Sequence, residues 1–208
     1  MEDVLEVYTR PQDPRRPLVC MDEIAKHLLR DVRDPEPAAH GRSGRVDYEY
    51  ARGGVVNCFL FCDPLPGQRW ADVTLRRTKR DWAQPIQEVV DVRYPEAERI
   101  VLVLDDLNTH TPAALDETFA PDEAKRLADK LELPYTPKHG SWLNIAEIEL
   151  SVLSRQCLDR RVPDIETLQG EVAAWQARRN AAACTVDWRF TTADARIKLK
   201  RLYPSLHE

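Results

Sequence analysis

Leu18-Val19-Cys20-Met21-Asp22 and Ile100-Val101-Leu102-Val103-Leu104-Asp105 are apolar runs that each stop at a carboxylate. Short apolar runs rich in β-branched residues read as strands buried on both faces. Open α/β sheets keep their chemistry at the carboxyl ends of strands, so Asp22 and Asp105 on neighbouring strands would face one shared cation. A third acid, Glu147, follows in a stretch with helical spacing. This is the layout that metal-dependent phosphoryl transfer requires.

The 208 residues suffice for one well-cored domain, and a hydrophobic fraction of 43% with a charged fraction of 31% suits a globular protein. No stretch nears the roughly 20 apolar residues of a membrane-spanning helix, and Met1 to Glu6 lack a secretory pattern, so a cytosolic location is expected. Cys20, Cys58, Cys62, Cys157 and Cys184 form no CxxC pair and are expected as buried, reduced thiols. The net charge of -5 excludes a protein that coats nucleic acid indiscriminately. Any DNA contact must be local.

Pro11 and Pro14 with mixed charges mark residues 1–16 as an irregular arm, and Pro35, Pro37, Gly41 and Gly44 mark Asp31 to Arg45 as a mobile loop after the first strand. Val46 to Tyr50, Val55 to Cys62 and Trp70 to Leu75 then read as strands of an antiparallel meander. Thr78 with Asp81 resembles a capping box that opens a helix through about Val92. The strand Ile100 to Leu104 follows, then a helix from Pro121 to about Leu131 and a brief strand, Leu133 to Thr136. Helices are expected from Leu143 to Leu158, from a cap at Asp164, and from Thr192 to Leu202 before Pro204. The expected class is α/β, a mixed sheet of an antiparallel meander plus parallel strands with flanking helices. Ribonuclease H-like folds have this order.

Leu104-Asp105-Asp106-Leu107-Asn108-Thr109-His110 and Thr136 to Glu147 (TPKHGSWLNIAE) resemble the catalytic core of IS630-type transposases, in the Tc1/mariner group. The similarity extends through Met21-Asp22-Glu23, Gln156 to Arg161, Asp187 to Thr192 and Tyr203-Pro204, so residues 17–208 would form the DDE catalytic domain, with C-terminal helices from about 164. The resemblance places the DDE triad, both catalytic and metal-holding, on Asp22, Asp105 and Glu147. It implies two Mg²⁺ ions, with Mn²⁺ as the alternative. Relatives usually carry Asn where this chain has Asp106, which makes Asp106 a competitor or an extra ligand. His110 matches a family histidine that either supports a ligand or takes part in catalysis.

Helical periodicity points elsewhere for the third acid. At 100° per residue Glu149 falls among Ile145, Ile148, Val152 and Leu153, whereas Glu147 lies nearer Ser151 and Ser154. A carboxylate on the apolar face needs a partner, for which Arg160 or Arg189 is expected. The family motif selects Glu147, with Glu149 as the alternative.

Arg76, Arg77, Lys79 and Arg80 crowd a helix start, and Lys138 with His139 precedes the catalytic helix; both groups are expected to meet DNA phosphates. Trp142 is expected in the core. The resemblance implies strand cleavage and transfer at transposon ends with TA targets, in a bacterial protein that joins the nucleoid when bound to DNA. The family's N-terminal helix-turn-helix region finds no counterpart ahead of the catalytic stretch, so a split gene, truncated copy or fragment is expected. The expected partners are a second copy or a polypeptide bearing that region. A non-catalytic remnant that modulates an intact transposase, and a structure-selective nuclease of the same fold, are the alternatives.

Overall fold

The computed structural model describes residues 1–45, 47–105 and 107–203. Its frame is a five-stranded sheet. The helix α1 (Glu2–Thr9) precedes the long strands β1 (Leu18–Asp31) and β2 (Tyr50–Asp63) and the shorter β3 (Gln68–Thr74), which pair antiparallel in succession. The turn into β3 needs Gly67, whose φ is 68° and where a Cβ would lie 2.7 Å from the Ala183 carbonyl carbon. Next come α2 (Lys79–Glu88), extended by a π-helical turn Val89–Arg93, and β4 (Ile100–Val103), parallel to β1. The helices α3 (Pro112–Asp116) and α4 (Pro121–Asp129) lead to β5 (Leu131–Glu132), parallel to β4. The chain ends in α5 (Ile145–Leu153), which passes into a π-helical turn Ser154–Leu158, then α6 (Ile165–Ala181) and α7 (Thr192–Lys198). The strand order is β3-β2-β1-β4-β5, a mixed sheet with the expected ribonuclease H-like arrangement.

Strand alternation divides the core. Val19, Met21, Phe59, Phe61, Leu102 and Leu104 face α2, α3 and α4. On the other face Cys20, Cys62, Val101 and Val103 pack with α1, α7 and the start of α5, while Cys58, Leu60 and Val73 meet α5 and α6. Both faces of the central strands are therefore dry, which is why their sequences read as continuous apolar runs. The free cysteines fit this packing: Cys20, Cys58, Cys62 and Cys157 are buried, and Cys184 is half-buried.

Four expectations change. The proposed N-terminal arm is a helix through Thr9, because Val4, Leu5 and Val7 bury against the sheet; only the proline-bearing residues beyond it are irregular. Asp22 does not end its strand. The partner β4 stops beside Cys20, at Val103, but β2 continues to pair with β1 as far as Asp31. Consequently β1 is itself the first strand of the meander, and Tyr50 opens the second; Val46 lies outside the described residues. The brief strand expected over Leu133 to Thr136 lies earlier, at Leu131–Glu132, with one further bridge between Leu104 and Tyr135. The capping box at Thr78 and Asp81 and the cap at Asp164 form as expected.

Candidate active site at the end of the central strands

Where β4 stops and β1 runs on, the sheet opens at the strand end, and three carboxylates from three elements lie near enough there for two to act electrostatically on the third. Asp22 sits on β1, Asp105 follows β4, and Glu147 lies in the first turn of α5. Asn144 joins two of these elements. Its side-chain oxygen caps α5 by accepting from the Ala146 N–H, while its amide donates to the Met21 carbonyl at 2.8 Å and lies 3.5 Å from Asp22 Oδ2. Tyr8 of α1 steadies the same helix start: its hydroxyl donates to the Leu143 carbonyl and accepts from the Ile145 N–H.

Asp22 is buried, with 7% of its surface exposed. Burial pushes its carboxyl up to about 8, against the pull of a hydrogen bond from the Glu23 N–H, and the negative charges of Glu147, Glu23 and Asp105 push the same way. The charged neighbours that weigh most on Asp22 among the described residues are thus acids. An oxygen-rich site with surplus negative charge suits hard divalent cations, and Asp22, Asp105 and Glu147 are the residues that would hold them.

On the other face of β1, Glu23 meets His110. Asp105 Oδ1 accepts from His110 Nδ1 at 2.6 Å, and His110 Nε2 lies 3.3 Å from Glu23 Oε2. Glu23 also pairs with Arg77, at 2.7 Å. His110 has no exposed surface and stacks on Trp82. Burial raises the Glu23 carboxyl above its ordinary value, with His110 and Arg77 pulling it back. Glu23, Asp105 and His110 offer ligand atoms that lie within 4.8 Å of one another, a grouping that the sequence reading missed because it treated Glu23 only as part of a motif. Strand alternation was the available signal, since it sends adjacent residues to opposite faces.

The model of the DDE superfamily endonuclease family matches residues 17–169. The chain belongs to this family. No curated protein sequence matches the chain. Its fold is similar to that of the Mos1 mariner paired end complex with Mn, with a TM-score of 0.57 and 15% identity over 88% of this chain and 56% of that one. A pre-cleavage Mos1 transpososome gives a TM-score of 0.57 at 13% identity, over 90% of this chain and 61% of the other. The Mos1 strand transfer complex gives a TM-score of 0.57 at 15% identity, again over 88% and 56%. The chain spans little more than half the length of these Mos1 chains.

Glu149 stands apart from the acid cluster. It is 1% exposed and is held between Arg69, whose Nε is 3.1 Å from Oε2, and Arg179, whose Nη2 donates to both carboxylate oxygens at 2.7 and 3.0 Å. The expectation of an arginine partner holds, but Arg160 pairs with Glu171 and Arg189 with Asp187 instead. Arg69 and Arg179 reach Glu149 because β3 and α6 pack beside α5, a tertiary fact with no local sequence signal. Asp106 lies outside the described residues.

The basic residues around α2 are partly spent. Arg77 pairs with Glu23 and Lys79 with Glu117, while Arg76 and Arg80 are exposed with no ion pair among the described residues. The capping box already serves part of the α2 start, so the side chains, more than the helix amides, make this surface positive. Lys138 and His139 are exposed on the turn before α5. There His139 holds a left-handed φ of 64°, and Gly140 packs so tightly that a Cβ would lie 2.6 Å from Pro137 Cγ. Trp142, expected in the core, is 45% exposed and meets the Phe190 ring edge-on at 5.7 Å. The short 3-10 turn Ser141–Leu143 buries Leu143 and turns the neighbouring tryptophan outward. Among the described residues no helix is long and apolar enough to cross a membrane.

Proposed function

We propose that the chain is the catalytic domain of an IS630-type DDE transposase, a Tc1/mariner relative, that cuts DNA strands at transposon ends and transfers them to a target. One observation carries this reading: Asp22, Asp105 and Glu147, drawn from two strands and a helix, lie close enough that the charges of the other two raise the proton affinity of Asp22. The family match and the Mos1-like fold support it. So does the presence of Mn in one Mos1 complex.

In this reading Asp22, Asp105 and Glu147 hold two Mg²⁺ or Mn²⁺ ions, which when bound supply Lewis acidity for activating the attacking hydroxyl and stabilising the leaving oxygen. The protein's own work is placement. Asn144 fixes Asp22 relative to the start of α5, and His110 aims Asp105 by donating to it. Lys138 and His139, on a tight turn whose close packing against Pro137 only a glycine at 140 allows, meet the phosphate near the cut. Of the basic residues around α2, Arg76 and Arg80, which have no ion pair among the described residues, bind the DNA backbone farther along. Recognition of particular ends falls to a helix-turn-helix polypeptide or to assembly of further copies, and TA dinucleotides are the targets, as the family resemblance implies.

Nicking of supercoiled plasmid by the 208-residue chain in Mg²⁺ or Mn²⁺ tests the proposal. Nicking should appear with metal and fall at least about 100-fold in Asp105→Asn and Glu147→Gln. Glu149→Gln, folded, should retain it. Clean protein that neither binds the metals by calorimetry nor nicks would leave the non-catalytic remnant as the better account. Cleavage of RNA in a hybrid without strand transfer would favour the nuclease.

A further inference from the structure

Asp105, His110, Glu23 and Arg77 form a file of ionisable side chains running from the candidate metal site to the basic surface at α2. The links are Asp105 Oδ1 to His110 Nδ1 at 2.6 Å, His110 Nε2 to Glu23 Oε2 at 3.3 Å, and Glu23 Oε1 to Arg77 Nη1 at 2.7 Å. The file is dry at its centre: the His110 side chain is fully buried and that of Glu23 is 3% exposed, whereas Asp105 is 24% exposed and Arg77 50%. The middle link is imperfect. Neither His110 Nε2 nor Glu23 Oε2 has a well-aligned hydrogen-bond partner, although both are buried among the described residues.

We propose that Glu23 is a positioning residue for the DDE reaction: it braces the far nitrogen of His110, so that the near nitrogen holds the Asp105 carboxylate in its metal-binding orientation, and Arg77 braces Glu23. The inference rests on the transposase reading of the site. Two alternatives are weaker on the observations. His110 does not serve as a ligand, because Nδ1 is committed to Asp105 and Nε2 faces Glu23. Nor is Glu23 suited to join the metal set, because one oxygen is taken by Arg77, the other faces His110, and its side chain leaves the opposite side of β1 from Asp22. A residue that acts through two others leaves a particular signature, since partners of this kind cost about 10- to 100-fold in metal affinity or activity when lost.

The test compares Glu23→Ala and Glu23→Gln in the 208-residue chain. Three readouts are taken at one fixed pH: Mn²⁺ affinity by calorimetry without DNA, kcat and KM for plasmid nicking, and the ring-nitrogen signals of His110 by ¹⁵N NMR in metal-free protein. Circular dichroism confirms that each variant is folded. Glu23→Ala should lower kcat and Mn²⁺ affinity by about tenfold or more with KM little changed, and should give His110 a mobile ring. Glutamine can both donate and accept, so Glu23→Gln should restore most of the loss and the wild-type His110 signals. If Glu23→Gln is as metal-blind as Asp105→Asn, Glu23 is a ligand and the proposal is wrong. Unchanged His110 signals in Glu23→Ala also overturn it. Should the wild-type chain bind no metal and cut no DNA, the transposase reading fails on its own, while the His110 signals still decide whether Glu23 braces the ring.

Discussion

Asp63, at the end of β2, is buried and accepts a hydrogen bond from the Tyr94 hydroxyl at 2.8 Å. Burial pushes its carboxyl up to about 6, above the roughly 3.9 of an unfolded chain. The folded protein therefore holds this proton more tightly between those values. Its contribution to stability is complete below about pH 4 and is lost as the pH rises through about 6. Asp63→Asn keeps an acceptor for Tyr94 and removes the charge. Urea denaturation should show that this variant escapes about 2 kcal/mol of the decline between pH 4 and pH 7; parallel curves for the two proteins would refute the assignment. At this scale the motif named Asp22, Asp105 and Glu147, and the structure brings the other two near enough to Asp22 for their charges to act on it. The sequence was opaque where a partner came from a distant element, as for Arg69 and Arg179 around Glu149, or His110 beside Glu23.

Helix α5 shows why periodicity and motif disagreed about the third acid. Glu147 and Glu149 are about 200° apart on the helix, so one reaches the strand-end opening while the other enters the interior. Periodicity correctly found the acid on the apolar face, but that acid is matched by two arginines rather than by metal. Removing it leaves those cations buried without a counter-charge. Glu149→Ala should therefore cost about 3–5 kcal/mol in chemical denaturation, and a loss below about 1 kcal/mol would mean that water reaches the arginines. The α2 cap makes a smaller prediction: Thr78→Ala, which removes the hydroxyl that accepts from the Asp81 N–H and leaves the backbone half of the capping box, should cost about 1 kcal/mol by the same measurement. Caps and periodicity made α2, α4, α5 and α6 legible. The short α3 went unread because five residues hold too little pattern, and α1 because nearby prolines outweighed Val4, Leu5 and Val7.

Over the whole molecule, a net charge of -5 would confine the proposed DNA binding to local patches, and around α2 the members without an ion pair among the described residues are Arg76 and Arg80. Arg76→Ala with Arg80→Ala should weaken binding to duplex DNA and lower the slope of log affinity against log salt by about 1–2, as counted in released ions. An unchanged slope, measured by fluorescence anisotropy, would place the backbone contact elsewhere. The order of elements was legible because alternation, caps and apolar runs agree with one another; the extent of β1 was not, since a strand's length depends on which neighbour is still beside it. That feature has a consequence for how the protein is assembled. The hairpins β1-β2 and β2-β3 join residues near in sequence, whereas Cys20 must find Val103 across the intervening meander and α2. Loop closure of that length is slow relative to hairpin zipping. A chain caught midway through refolding would then protect the amides of its antiparallel half while its three acids were still apart, so the capacity to react should be among the last properties it acquires.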